Sequence, residues 1–229
     1  DMALNMVKTA EHKYYEMANL EKGEVRIGAS DVVISGYLMP YIEKYSNAYS
    51  DIRIKVVNKT TYESLELLKR GVIDMCFVNL PIEHGEDMEI TKCVEIHDCL
   101  IGGTRYKDLA KKGLELSKLS DYPLLLLEDM SNTRKQLDKF AAENGMFFKP
   151  IIELASYDIL IQFAKINLGL TFIIREFDNS AIDSKTIFEI PLRPQLPTRY
   201  VGLVKLKNAA LSFAANRFLE MLGLEEAGK

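Results

Sequence analysis

Three times along this chain a strand-length apolar run stops at a small polar turn and gives way to an amphipathic helical pattern. That alternation narrows the available folds more than any other feature. In the stretch from Gly23 to Pro40, Val25 and Ile27 alternate with polar partners and end at Gly28. Ser30 and Asp31, both helix-capping residue types, follow at once, and a helical pattern continues through Val33, Tyr37 and Tyr41. The second unit sets Ile52, Ile54 and Val56 before Asn58, Lys59, Thr60 and Thr61, with Thr61 where an N-cap belongs and Tyr62, Leu65 and Leu68 on the helix face. The third places Leu124–Leu127 before a turn in which Ser131, Asn132 and Thr133 are candidate caps, ahead of Leu137, Phe140 and Ala141. One such turn alone is an ordinary βα connection. Several helix starts facing one space, each with unsatisfied N–H donors and a rotatable hydroxyl, form a polar site for a small acceptor-rich molecule.

The remaining segments extend this alternation. A near-continuous apolar strand is predicted from Val72 to Val78, breaking at Asn79, Leu80 and Pro81. The resulting βαβαβ order predicts a parallel sheet with helices on both faces, whose ligands lie at the strands' carboxyl ends. Ser30, Thr61 and Asn79 would share that edge. Residues 90–103 read as a strand pair or one long strand crossing into a second lobe, and residues 109–119 as a short lysine-flanked helix. Ile151–Leu154 reads as a strand, Tyr157–Lys165 as a helix and Gly169–Ile174 as a buried strand ending at Arg175. Tyr200–Lys205 is the crossing back, and Ala209–Leu222 the last helix. Residues 1–22 carry a narrow helical stripe of Ala3, Val7, Ala10, Tyr14 and Met17, expected of a coiled-coil seam or of a helix laid on a partner, at the end of a linker.

With 229 residues and 48% hydrophobic content, the chain has enough material for two lobes. A formal charge of −4 gives no overall pull toward phosphate backbones, so this segment is not expected to grip DNA itself. Cys76, Cys93 and Cys99 are scattered, without metal-ligand spacing; they read as small buried hydrophobes, with a redox pair of Cys93 and Cys99 as the weaker alternative. His12, His84 and His97 are separated, and no serine stands in a nucleophile turn. Neither a metal, a cofactor nor an enzyme activity is therefore expected. No apolar run is long enough to span a bilayer as a helix. The chain begins with Asp1 rather than Met, as expected of a segment of a longer protein. Arg134 is placed either to neutralise an anion or to lie as a helix-surface arginine.

The runs Arg26-Ile27-Gly28-Ala29-Ser30, Tyr37-Leu38-Met39-Pro40, Leu68-Lys69-Arg70-Gly71-Val72-Ile73-Asp74-Met75, Asn79-Leu80-Pro81 and Ile166-Asn167-Leu168-Gly169-Leu170-Thr171-Phe172-Ile173 together resemble the effector-binding (co-inducer) domain of LysR-type transcriptional regulators. The resemblance covers residues 23–223 and is specific in the order and separation of its motifs. It implies an α/β fold like the type II periplasmic binding proteins, with two lobes joined by two crossing strands and an effector in the cleft between them. Lobe I would take residues 23–97 and 198–229, lobe II residues 98–197, and residues 1–22 would end a linker helix. The resemblance also implies a winged helix-turn-helix domain absent from this chain, DNA contact only through that domain, a homodimer or homotetramer, and a cytoplasmic location without membrane attachment. Effector contacts would fall on Ser30, Asp31, Thr60 or Thr61, and Asn79 in the first lobe. In the second they would fall on Ser131, Asn132, Thr133, Thr171 and Phe172, although Phe172, in an apolar run, reads more readily as core than as ligand wall. Asp31 is a carboxylate where the family often has an uncharged residue, and Arg175 replaces a proline that usually closes the glycine-rich strand. The sequence leaves a stand-alone solute-binding protein of a transporter and a constitutive oligomerisation module as alternatives.

Overall fold

The computed structural model describes Val7, residues 23–177 and residues 186–224. The expected linker helix over residues 1–22 lies outside the described residues apart from Val7. The chain divides into two compact units: residues up to Val94 together with those from Tyr200 onward, and Glu95–Arg199.

The first unit is built on a five-stranded sheet of order β2-β1-β3-β12-β4. Its strands are β1 (Gly23–Ala29), β2 (Ile52–Asn58), β3 (Met75–Leu80), β4 (Met88–Ile96) and β12 (Arg199–Leu206). β1 runs parallel to both β2 and β3, while β12 returns antiparallel to β3. Thus β1 lies between the two strands that follow it, and the chain leaves β1 to one side before crossing to the other. After β1 come a short α turn, α1 (Asp31–Val33), a π-helical turn (Ile34–Leu38) and α2 (Met39–Ala48). α3 (Thr61–Lys69) follows β2.

One side of the sheet packs Leu65, Leu68, Ile73, Cys76, Val78 and Val204 into a continuous core. The Ile73 side chain, between α3 and β3, can lie over β1 because residue 28 has no side chain: a Cβ there would stand 2.5 Å from Ile73 Cδ1. Elsewhere in the unit Tyr45, Phe77 and Phe218 meet ring to ring, Phe218 coming from the final helix α7 (Phe213–Met221).

Two expectations for this unit are corrected. β3 starts at Met75 and runs through Asn79 and Leu80, so Asn79 is a strand residue and not a turn residue. Asp74 is held outside the strand because its carboxylate accepts from the Arg26 backbone N–H at 2.7 Å and from the guanidinium at 2.5 Å. Asn79 and Leu80 stay in the ladder because β12 pairs with them through Val201 and Tyr200. The cap of α3 is Thr60, not Thr61. Thr60 and Glu63 form a reciprocal capping box, and Thr61 is the buried first helical residue.

The second unit distributes its strands over small sheets. β5 (Asp98–Gly103) pairs antiparallel with β9 (Thr171–Ile174) and with β10 (Ile187–Ile190). β7 (Leu125–Leu127) pairs parallel with β8 (Ile152–Leu154), and Leu124 bridges Leu170. The two-residue strands β6 (Leu114–Glu115) and β11 (Leu192–Arg193) pair with each other. The expected helix over residues 109–119 is not one helix. α4 (Lys107–Lys112) stops at Gly113, whose φ of 72° suits glycine, and a 3-10 segment (Leu116–Asp121) follows β6. α5 (Asn132–Glu143) and α6 (Tyr157–Lys165) complete the unit, and its core joins Leu100, Leu126, Leu137, Phe140, Leu170 and Phe172.

Candidate functional site

In the first unit the sheet brings the expected residues to one edge. Ala29 pairs with Asn58, and the Lys59 N–H donates to the Ala29 carbonyl at 3.1 Å, so Ser30 stands beside the start of the Lys59–Thr60 turn. On the other flank Ala29 pairs with Phe77, which sets Asn79 just beyond the level of Ser30. This is the carboxyl edge at the point where the connections diverge, the place where open α/β sheets bind ligands.

The side chains at this edge differ in what they are already doing. The Thr60 hydroxyl accepts from the Glu63 N–H at 3.4 Å and donates to the Glu63 carboxylate at 2.8 Å. The Ser30 carbonyl accepts from the Ile34 N–H at 2.9 Å, but its hydroxyl makes no capping bond. Asp31 turns back to accept from the Val32 N–H at 2.8 Å, satisfying one donor of the turn itself. Asn79 and Thr61 are buried. Ser30 thus presents a hydroxyl that the helix start does not use.

The capping box also fixes a local titration. Its hydrogen bonds to the Thr60 side chain and backbone, with help from Lys59, lower Glu63 below its ordinary 4.5. A carboxyl lowered in the folded state adds stability above its unfolded value and loses it as pH falls through the folded one. Thr60→Ala is expected to cost about 1 kcal/mol in urea unfolding and to return the Glu63 titration, followed by carboxyl NMR, toward ordinary. An unmoved titration would contradict the box.

In the second unit Ser131 is the N-cap of α5, and its hydroxyl also makes no capping bond. Asn132, Thr133 and Arg134 behind it are buried. The reading of Arg134 as a residue that neutralises a ligand anion is corrected. Its Nε donates to both Asp138 oxygens at 3.0 and 2.9 Å, and Nη1 to the Leu127 carbonyl at 2.8 Å and to Glu153 at 3.2 Å. With two carboxylates already on it, Arg134 fastens α5 to β7 and β8. The Arg134–Asp138 spacing of four was the legible signal. Thr171 lies inside β9 with its hydroxyl buried and unpartnered among the described residues, while Phe172 packs in the core 5.8 Å from the Phe148 ring.

The sequence missed the buried ion pair of Asp98 with Arg199, whose partners lie too far apart for any local pattern. It also missed the His97 tie, in which the His97 N–H donates to Glu176 at 2.8 Å and Nδ1 lies 2.7 Å from the same carboxylate. The cysteines are free thiols. Burial pushes Cys76 up to about 12 and raises Cys93 and Cys99, the opposite of an activated thiol. Among the described residues no acid, His and Cys group could hold a metal ion, and no helix is long and apolar enough to cross a membrane.

This architecture is that of a type II periplasmic-binding-protein-like α/β domain. The family model for the LysR substrate binding domain matches residues 18–225, and the chain belongs to that family. It is the effector-binding domain of a LysR-type transcriptional regulator, and the regulator reading prevails over the transporter one. The chain is 22% identical over 213 residues to the HTH-type transcriptional activator CmpR of Synechocystis sp., covering 90% of this chain and 67% of that protein. It is 25% identical over 217 residues to a probable RuBisCO transcriptional regulator of Phaeodactylum tricornutum, covering 90% and 70%. Among solved structures, the effector binding domain of QuiR in complex with shikimate matches with a TM-score of 0.75 at 17% identity, over 88% of this chain and 95% of that one. The reduced regulatory domain of OxyR2 from Vibrio vulnificus matches at 0.72 and 19%, over 88% and 95%.

Proposed function

We propose that this domain senses a small polar effector at the carboxyl edge of β1, with Ser30 as the first contact and Asp31, Thr60, Thr61 and Asn79 around it. The observation that carries the reading is the uncommitted Ser30 hydroxyl at the divergence of β2 and β3 about β1. Ser131 offers the equivalent group in the second unit, with Asn132 and Thr133 next to it in sequence, and Thr171 and Phe172 on β9 complete the proposed set. The regulator acts in the cytoplasm as a homodimer or homotetramer and reaches DNA through a winged helix-turn-helix domain outside this chain. The names of its relatives, all transcriptional regulators, support that role. The effector changes output by its differential affinity for two arrangements of the regulator.

Isothermal titration with small carboxylates, sulfate, amino acids and polyhydroxylated acids identifies the effector class. Ser30→Ala and Asn79→Ala are each expected to weaken binding about tenfold, the scale of one lost polar contact. Affinity unchanged in both variants places the effector elsewhere.

A further inference from the structure

At the carboxyl edge of β1 the uncompensated charge is negative. Residues 31–48 form one continuous helical run through α1, the π-helical turn and α2, and Asp31 is its first residue. Asp31 is half-buried and uses one oxygen: Oδ1 accepts from the Val32 N–H at 2.8 Å, while nothing among the described residues donates to Oδ2. Resting on the reading of this edge as the effector site, we propose that the effector carries a protonated nitrogen, as an amine or an amino acid does. Asp31 selects it through Oδ2.

The positive end of a helix ordinarily favours an anion. Here Asp31 already meets that end, so a ligand anion would approach a like charge, which is costly unless a cation stands by. None does. The Lys59 ammonium lies 3.1 Å from the Glu63 carboxylate. Lys55, the next cation back along β2, stands level with Arg26, three residues short of the Ala29–Asn58 pair that ends the ladder. Beyond Asn79 the chain has no Lys or Arg before Lys92. The groups left at the edge are the Ser30 hydroxyl, which can donate or accept, and Asp31 Oδ2, which only accepts. The second unit, taken by itself, has the same balance at the start of α5. Its turn carries Glu128 and Asp129, both exposed, with no partner for either carboxylate among the described residues. Arg134, the first cation of α5, is already held by Asp138 and Glu153.

Serine and glycerate, phenylalanine and phenyllactate, and putrescine and 1,4-butanediol are pairs that differ only in ammonium against hydroxyl. In isothermal titration, wherever a pair binds, its nitrogen member is expected to bind about tenfold tighter or more, the scale of one charged hydrogen bond. Asp31→Asn keeps an acceptor for the Val32 N–H but removes the charge, and should cut that preference to about twofold. The preference is a ratio, so partial loss of folded protein does not produce the change. Asp108→Asn, at an exposed acid on α4, should leave the ratio as it is, which separates a local contact from net charge. A hydroxyl compound that binds as tightly as its nitrogen partner, a preference that survives Asp31→Asn, or no binding by any nitrogen compound would each overturn the assignment. Ser30→Ala reports on the site and not on its charge preference. If a hydroxyl compound binds as tightly and Ser30→Ala weakens it, the effector site at β1 stands and the protonated nitrogen falls.

Discussion

Asp98→Asn is expected to destabilise the protein by about 3–5 kcal/mol, the cost of stranding one member of a buried ion pair. The Arg199 and Asp98 side chains are only 3% and 4% exposed and are joined by two hydrogen bonds in parallel. Among the described residues Arg199 Nη1 is also buried without a partner, so there the guanidinium depends on this one carboxylate for compensation. Asparagine keeps the shape but removes the charge and one acceptor. Urea unfolding should show the midpoint falling with little change in slope. The double variant Asp98→Leu with Arg199→Met should recover most of the loss, because removing both charges leaves none stranded. A loss below about 1 kcal/mol for Asp98→Asn would mean that water reaches the pair.

Phe218→Ala is expected to cost a similar 3–5 kcal/mol. Phe218 is fully buried and sets its ring edge-on to Tyr45 at 5.3 Å and to Phe77 at 6.5 Å. Removing it opens a void between α2, α7 and the wholly buried strand β3, and takes away two edge-to-face contacts. The Tyr45 hydroxyl, which donates to the Ala214 carbonyl at 2.8 Å, holds the helix in place and limits how far the void can collapse. Phe213 on the same helix is 37% exposed, and Phe213→Ala should change stability by less than about 1 kcal/mol. Comparable losses in the two variants would contradict the packing of α7 described above.

The elements were legible wherever a local pattern was sufficient. Tyr157–Lys165 is a helix over the residues its spacing indicated, and the alternation of Val25 and Ile27 marks a strand with both residues buried. Boundaries moved where a distant partner decided them. Asn79 reads as a turn residue beside Leu80 and Pro81, but β12, more than a hundred residues later, keeps it in the ladder. Thr60 and Thr61 are both capping types, and the reach of Glu63 back to position 60 separates them. For the candidate site, the sequence could place Ser30 and Ser131 at helix starts. It could not tell that their hydroxyls stay clear of the first turn while those of Thr60, Ser156 and Ser212 accept from it. Whether a cap is used depends on a rotamer. The Arg134 side chain went the other way, because Glu153 arrives from a strand that no helix spacing reveals.

Those two idle hydroxyls bear on any attempt to make the domain more heat-resistant. Optimising helix starts is a routine source of about 1 kcal/mol per position, and Ser30 and Ser131 would be natural targets for substitution by aspartate. An aspartate that closed onto the helix amides would raise the melting temperature while withdrawing the group proposed to meet the effector. If the proposed contacts hold, consolidating those two turns would make a sturdier receptor that no longer hears its signal.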